Sequence, residues 1–353
     1  MRLDLNQDVA ALTAAIVDIE SVSGDEKALA DAIEEALRAL PHLTVERDGD
    51  TVIARTSQGR SERVVIAGHI DTVPVNRNLP SRVEGERLYG CGTGDMKAGV
   101  AVQLKLATLA ETNRDVTYFF YECEEIEEAR NGLKRIGDTR PELLQADFAV
   151  LMEPSGGIIE GGCQGTIRVE VRVPGERAHS ARSWMGSNAI HNAGAVLDVL
   201  RAYEPRRPVV DGLEFHEGLN AVFISGGVAG NVIPDECVVT VNYRFAPDKS
   251  LEDAEKHLRE VFTGYDVTVV DGAAGARPGL THPAAAAFVE AIGGASMARA
   301  KLGWTDVARF SALGVPAVNF GPGEPSLSHT KDEYVEIPRI FAGEESMRAW
   351  LTA

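Results

Sequence analysis

The order of apolar and polar positions along the chain predicts strands that alternate with helices. Four short runs are apolar at nearly every position, which is typical of strands buried on both faces of a sheet. They are residues 64–67, 116–121, 148–152 and 315–320. Helical periodicity occupies stretches that separate or flank these runs, at residues 98–109, 282–292 and 338–351. This alternation predicts an α/β sheet covered by helices.

Two amphipathic helices are expected before the first of these strands. Ser23 and Glu26 have the spacing of a capping box, in which each side chain bonds the other residue's backbone N–H, so the second helix should begin there. Short β-like runs follow at residues 43–46 and 51–55.

Residues 166–271 have a different pattern. Ile167, Val169, Val171 and Val173 alternate with polar residues, so their strand should have one buried face and one solvated face. The remaining predicted elements are a helix at 187–203, strands at 220–227 and 237–245, a helix at 250–262 capped by Ser250, and a strand at 266–270. This is the βαββαβ order of the ferredoxin-like fold.

Glycine-rich segments at both ends of this region indicate an insertion into the α/β domain. The predicted boundaries assign residues 1–164 and 276–353 to a catalytic domain and residues 165–275 to the insert. A length of 353 residues agrees with two domains.

Composition excludes several classes of partner. The net charge of −18 argues against nucleic acid and anionic membranes. No apolar run approaches the about 20 residues that span a bilayer. The four cysteines are scattered and form no CxxC pair, which disfavours a zinc ribbon or a disulfide framework and favours the reducing cytoplasm.

Acidic and imidazole side chains occur in isolated patches, and the first four patches lie about one strand-plus-helix unit apart. The patches are His69 with Asp71, Asp95, Glu124 with Glu125, Glu153, and His329. If each of the first four follows a different strand, they meet at one edge of the sheet. Carboxylates and imidazoles without thiolates are the ligands that two hard-to-borderline divalent cations prefer.

His69 and Asp71 are two residues apart at the end of a buried run, so their side chains should point the same way. A carboxylate beside a ligating imidazole usually fixes its tautomer. The alternative is a surface histidine next to a turn. Asp95 follows the glycine-rich string of residues 90–94 and could bridge two cations. A nucleotide loop is the other interpretation of that string, but neither GxGxxG nor P-loop spacing is present.

The adjacent Glu124 and Glu125 follow a strand, so one can bind a cation while the other acts as the general base. The alternative is a solvated acidic face, since Glu122, Glu127 and Glu128 lie nearby. His329 would supply the ligand that such a two-metal site otherwise lacks.

These motifs together resemble the M20 family of dizinc amidohydrolases and aminoacylases. The resemblance runs from about residue 7 to the end of the chain and includes GHIDTVP, GTGDMKAG, MEPS and the late Ser-His. The stretches YECEE, GTI, AHSAR and TDVARF are most similar to the actinobacterial desuccinylase branch, which hydrolyses N-succinyl-LL-2,6-diaminopimelate in lysine and cell-wall biosynthesis. Acetylornithine deacetylases, other N-acyl amino acid hydrolases and carboxypeptidases share most of these features and stay as alternatives. A non-catalytic binding module is a further alternative.

The resemblance implies a zinc-aminopeptidase-like catalytic sheet with an inserted ferredoxin-like dimerisation or lid domain. It also implies two zinc ions per chain, with Co2+ able to substitute. Their ligands would be Asp95 shared between both ions, His69 and Glu153 on one, and Glu125 and His329 on the other. Glu124 would be the general base, and Asp71 would orient His69.

In the insert, the resemblance implies that His179 stabilises the oxyanion in the active site of a neighbouring subunit. A homodimer is therefore expected. Asn231 and Arg244 would bind a substrate carboxylate, and Thr305 would contact the substrate from a loop.

Overall fold

The computed structural model describes residues 2–353, and its strands and helices alternate as the apolar pattern predicts. The strands are β1 (Thr44–Asp48), β2 (Thr51–Arg55), β3 (Arg63–His69), β4 (Arg82–Glu84), β5 (Arg87–Tyr89), β6 (Asp115–Tyr121), β7 (Phe148–Leu151), β8 (Ile159–Gly161), β9 (Gly165–Pro174), β10 (Ala178–His179), β11 (Val209–Val210), β12 (Leu213–Glu214), β13 (Gly218–Gly226), β14 (Val232–Ile233), β15 (Glu236–Phe245), β16 (Asp266–Ala273), β17 (Ala298–Ala300), β18 (Ala317–Asn319) and β19 (Tyr334–Glu336). The α-helices are α1 (Val9–Val17), α2 (Lys27–Arg38), α3 (Ala98–Ala107), α4 (Gly132–Thr139), α5 (Ala189–Ala202), α6 (Leu251–Val261), α7 (Pro283–Ile292), α8 (Val307–Ala312) and α9 (Ile337–Thr352).

The described residues form two units. The first consists of residues up to Gly161, Pro278–Arg299 and Arg309–Ala353. The second consists of Gly162–Arg277 and Ala300–Ala308. The sequence-based boundaries lie close to these, but they assigned residues 300–308 to the catalytic domain.

The first unit is built on a mixed sheet in the order β1-β2-β6-β3-β7-β18-β8-β17. Strands β6, β3, β7 and β18 are parallel neighbours, whereas β1-β2, β2-β6 and β18-β8 are antiparallel. Every residue of β6 is buried, as are residues 64–69 of β3. The apolar side chains on one face of these strands form one core with those of α1, α2, α3, α7 and α9. Each fully buried aliphatic or aromatic side chain there contributes about 1.5–3 kcal/mol, which explains why the predicted runs are apolar throughout.

The second unit has an antiparallel sheet in the order β13-β15-β9-β16. The alternating apolar residues of β9 are at most 1% exposed and pack with residues of α5 and α6. Helix α6 begins with a capping box between Ser250 and Asp253, in agreement with the predicted cap. The α/β class with a ferredoxin-like βαββαβ insert is therefore confirmed. The sequence did not reveal the two-residue pairs β10-β14 and β11-β12, which are too short to have a pattern.

The predicted capping box at the start of α2 is wrong. The helix begins at Lys27, and its N-cap residue, Glu26, makes no side-chain capping bond. The Ser23 hydroxyl instead donates to the Asp71 carboxylate at 2.7 Å and to the Thr72 carbonyl at 3.3 Å. Ser23 and Glu26 therefore do not cap the helix, because their side chains bond residues that are distant in sequence.

Among residues 2–353, no helix combines the length and apolar character needed to cross a bilayer.

Candidate metal centre

Three of the acidic and imidazole patches lie at the carboxyl ends of adjacent parallel strands. His69 is the last residue of β3, Glu124 and Glu125 follow β6, and Glu153 follows β7. Because β6, β3 and β7 are parallel neighbours, their carboxyl ends meet at one edge of the sheet. The strand ends therefore bring these four side chains to one place.

Asp95 reaches the same place by another route, so the expectation that each of the first four patches ends a strand of the main sheet is wrong for this residue. It lies in a loop after β5, which belongs to a separate sheet of order β19-β5-β4. That loop includes a single wide turn at Thr93–Lys97, which contains Asp95 and leads into α3, and the Asp95-Met96 peptide bond is cis. His329 follows β18 and has a left-handed backbone, with φ of 64°.

The His69 imidazole, only 1% exposed, is held from both sides. Its Nε2 lies 3.1 Å from Asp95 Oδ1. Its Nδ1 lies 3.1 Å from the Asp71 carbonyl oxygen and 3.4 Å from the Asp71 carboxylate. Burial alone would lower the pKa of His69, but hydrogen bonds with Asp71 and Asp95 and nearby carboxylate charge raise it well above its usual value. Nε2 is thus the ring nitrogen directed at the cluster.

The Asp71 carboxylate also holds the turn that carries the two glutamates. Its Oδ1 accepts from the Glu124 backbone N–H at 3.0 Å, and its Oδ2 accepts from that of Glu125 at 3.1 Å. The Ser23 hydroxyl donates to the same Oδ2. Burial would raise the pKa of Asp71, but the His69 interaction and these hydrogen bonds lower it. Asp71 is therefore ionised and fixes His69 and Glu124-Glu125 relative to one another.

Glu26 supports the same turn from the other side. Its Oε1 accepts from the backbone N–H of Gly24 at 2.7 Å and from that of Cys123 at 3.2 Å. Cys123 has a left-handed backbone, with φ of 58°, which is uncommon for a residue with a side chain. Sequence analysis missed these roles of Ser23 and Glu26, because the long-range partners leave no local signal.

Glu125 and His329 form a second contact within the cluster. His329 Nε2 lies 2.9 Å from Glu125 Oε1 and 3.6 Å from Asp95 Oδ2. The hydrogen bond to Glu125 raises the pKa of His329 to about 9. Burial raises the pKa of Glu125, and the negative charge of Asp95 adds to this effect.

The potential ligand atoms form three overlapping groups, each with all atoms within 4.8 Å of one another. Two of them share Asp95: one contains His69 and Glu153, the other Glu125 and His329. The third contains His69, Glu124 and Glu125. Carboxylates crowded together and largely buried repel one another unless cations lie between them. The donor set therefore fits two cations that share one carboxylate.

The other acids of the glutamate-rich run have different surroundings. Glu122 accepts hydrogen bonds from Thr51 and, at 2.6 Å, from Arg135, so it ties β6 to β2 and α4. Glu128 pairs with Arg309 at 3.0 Å. Among the acids of this run, the groups described above contain only Glu124 and Glu125.

In the second unit, the structure brings His179 and Asn231 together. β10, which ends at His179, pairs with β14, and the Ser180 N–H donates to the Asn231 carbonyl at 2.9 Å. The His179 Nδ1 accepts from the Ala181 N–H at 3.0 Å, which leaves Nε2 as the outward ring nitrogen. Arg244 lies on β15 opposite Thr166, and burial lowers its pKa. Thr305 is buried, and the Cys163 thiol lies 3.7 Å from its carbonyl oxygen.

Comparison with known proteins places this chain among close relatives. Residues 65–353 match the profile of Peptidase family M20/M25/M40. A Mycobacterium tuberculosis protein, provisionally named succinyl-diaminopimelate desuccinylase DapE, is 56% identical over 353 residues, with 99% of each chain covered. The succinyl-diaminopimelate desuccinylase of Corynebacterium glutamicum is 49% identical over 349 residues, covering 96% of this chain and 94% of that protein.

Solved structures with the same fold are more distant in sequence. A Staphylococcus aureus tripeptidase superposes with a TM-score of 0.78 at 20% identity, covering 99% of this chain and 98% of the other. The Bacillus subtilis YXEP protein, described as a dinuclear metal binding peptidase of the M20 family, gives 0.71 at 17% identity, covering 97% and 96%. At these identities the likeness establishes the fold alone.

Proposed function

The chain belongs to Peptidase family M20/M25/M40, and from this we propose that it is a metal-dependent amidohydrolase that converts N-succinyl-LL-2,6-diaminopimelate to succinate and LL-2,6-diaminopimelate. The observation that carries this proposal is 49% identity, over nearly all of both chains, to the desuccinylase of C. glutamicum. The reaction belongs to lysine and cell-wall biosynthesis.

Two zinc ions are the proposed cofactors, with Co2+ able to substitute. Asp95 is proposed to bind both, His69 and Glu153 the first, and Glu125 and His329 the second. The donor set supports zinc because imidazole is a borderline ligand that zinc favours, whereas Mg2+ and Ca2+ prefer oxygen alone. When bound, such a pair of cations polarises the amide carbonyl and lowers the pKa of the attacking water.

Glu124 is proposed as the general base. Its carboxylate shares a group with His69 and Glu125, so it lies beside the ligands without being needed to complete either Asp95 triad. It takes the proton from the attacking water and delivers it to the departing amine. The Asp71 carboxylate contacts both the Glu124 backbone and the His69 ring. It therefore fixes the position of the proposed base relative to the proposed ligand.

His179 is proposed to stabilise the oxyanion in the active site of a second copy of the chain. Support comes from its exposed position at the end of β10 and from an apolar sheet edge on the same unit. Strand β13 is one edge of the four-stranded sheet of that unit and exposes Phe223 by 69%, together with Val222 and Ile224. An apolar edge strand is a template for pairing with another chain, which favours a homodimer through this unit.

Asn231, Arg244 and Thr305 are the proposed substrate ligands. The guanidinium of Arg244 is suited to pair bidentately with a carboxylate, and the substrate carries several. A cytoplasmic location is proposed as well, since all four cysteines are buried free thiols.

The experiment that tests this function compares kcat/KM for N-succinyl-LL-2,6-diaminopimelate with that for N-acetylornithine, using zinc-loaded protein. We expect a preference of about 10²-fold or more for the succinyl substrate. N-acetylornithine keeps an α-carboxylate but lacks the carboxylate of the succinyl group, and an arginine that pairs with that group loses roughly 3 kcal/mol or more when it is missing. Equal turnover of both substrates, or faster turnover of the acetyl substrate, would assign the chain to a sister deacetylase.

A further inference from the structure

The glycine-rich loop at residues 90–95 encloses a carboxylate from its own chain. Glu333 is 2% exposed, and its Oε1 accepts from the backbone N–H of Gly94 at 2.8 Å and of Asp95 at 3.1 Å. Its Oε2 accepts from the Gly92 N–H at 3.1 Å. The Gly90 N–H donates to the Glu333 carbonyl at 3.2 Å. Four N–H groups of one short loop therefore converge on a single residue.

This arrangement explains the glycines physically. Backbone N–H groups that point into one concavity bind anions and other oxygen acceptors, and here the acceptor is the carboxyl group of Glu333. Gly92 has φ of 76°, a left-handed conformation that favours glycine. The concavity of the glycine-rich loop, which a phosphate would fill in a nucleotide-binding protein, is thus filled by the Glu333 side chain.

Glu333 also links two parts of the proposed metal centre. It closes the short segment that begins at His329, and β19 starts directly after it. β19 pairs with β5, which ends just before the glycine-rich loop. The loop that carries Asp95 and the segment that carries His329 are therefore fixed to each other by both strand pairing and the buried carboxylate. By contrast, His69 and Glu153 are placed by the strands of the main sheet.

We propose that Glu333 is a positioning residue of the metal centre, which sets Asp95 and His329 relative to Glu125. It thereby controls the affinity of the cation that these three residues hold, and it affects the cation at His69 and Glu153 less. This inference rests on the ligand assignment of the proposed function.

The test is a Co2+ titration of metal-free protein, followed by visible absorption, for the wild type and Glu333→Gln. Glutamine keeps the size of the side chain but replaces one oxygen by an NH2 group, so at least one loop N–H faces another donor. We expect one of the two binding steps to lose about 10- to 100-fold in affinity, the range typical of residues that support metal ligands, while the other step stays near the wild-type value. Glu336→Gln is the matched control, since Glu336 lies only three residues further along, at the end of β19, and its carboxylate pairs with Arg339 at the surface.

Unchanged titration of Glu333→Gln, or equal loss at both steps, would overturn the inference. Circular dichroism of the metal-free variant checks that it folds. If it does not, Glu333→Asp, which keeps the charge and loses one methylene, is titrated by the same criteria. A wild type that takes up fewer than two Co2+ ions would contradict the proposed function instead, so the two failures are distinguishable.

Discussion

Asp71 positions not only the neighbouring His69 imidazole but also the backbone of Glu124 and Glu125. The two-residue spacing from His69 made that pairing predictable, because side chains two apart at a strand end point the same way. Its hydrogen bonds to the backbone of Glu124 and Glu125 were not predictable, since they join segments that only the parallel pairing of β3 and β6 brings together. One buried carboxylate thus sets the direction of a proposed ligand and a proposed base.

Glu26 provides a test of the turn that carries these glutamates. Replacing it by alanine removes the acceptor for the N–H groups of Gly24 and Cys123, and an unsatisfied buried donor costs about 1–3 kcal/mol. We expect Glu26→Ala to lower kcat/KM by roughly tenfold or more. Glu26→Gln keeps an acceptor and should stay close to wild type. Burial raises the pKa of Glu26, and Glu26→Gln tests the acceptor geometry without the charge.

The control for this pair is Glu20→Ala, which removes an exposed carboxylate from the same segment. Thermal unfolding of all three variants separates a local effect from a loss of fold. If Glu26→Ala keeps full activity, the left-handed turn at Cys123 does not depend on Glu26.

The elements that could be predicted from the sequence are those whose burial is complete or strictly one-sided. Strands β6 and β7 are buried throughout and β3 is buried from residue 64 onwards, so they appear as almost unbroken apolar runs. Strand β9 buries alternate residues, so it appears as alternation. Helix α6 has its cap within its own sequence and was predicted with that cap.

The elements that escaped prediction depend on distant partners. Strands β4 and β5 have three residues each, and the sheet that places Asp95 is completed by β19 near the end of the chain. Ser23 and Glu26 have the spacing of a helix cap, but bonds to Asp71 and Cys123 take its place. The side chain that fills the glycine-rich loop could not be predicted either, because Glu333 lies far away in sequence.

At the scale of the whole molecule, the proposed homodimer is tested by subunit mixing. Chains carrying His179→Ala are mixed with chains carrying Glu124→Gln and allowed to exchange, each variant being inactive alone. If His179 acts in trans, one site of each mixed dimer receives both wild-type residues. Statistical exchange should then restore about a quarter of the wild-type activity, because half of the dimers are mixed and each has one complete site.

Mass spectrometry under native conditions verifies that the mixed dimers form. Mixed dimers without activity would mean that His179 acts within its own chain or has no catalytic part. If the protein is monomeric, the proposed homodimer is wrong, and the exposed apolar edge at β13 has another role.

The central claim is that five residues hold two cations beside Glu124, and elemental analysis alongside turnover tests it most directly. At saturation the wild type should contain about two zinc ions per chain. Asp95→Ala should lose metal and activity together, since Asp95 is common to both groups of ligands. Glu124→Gln should keep both ions yet turn over about 10²-fold more slowly or worse, as expected for the loss of a general base. Retention of two ions by Asp95→Ala, or loss of an ion with activity preserved in Glu124→Gln, would contradict this assignment.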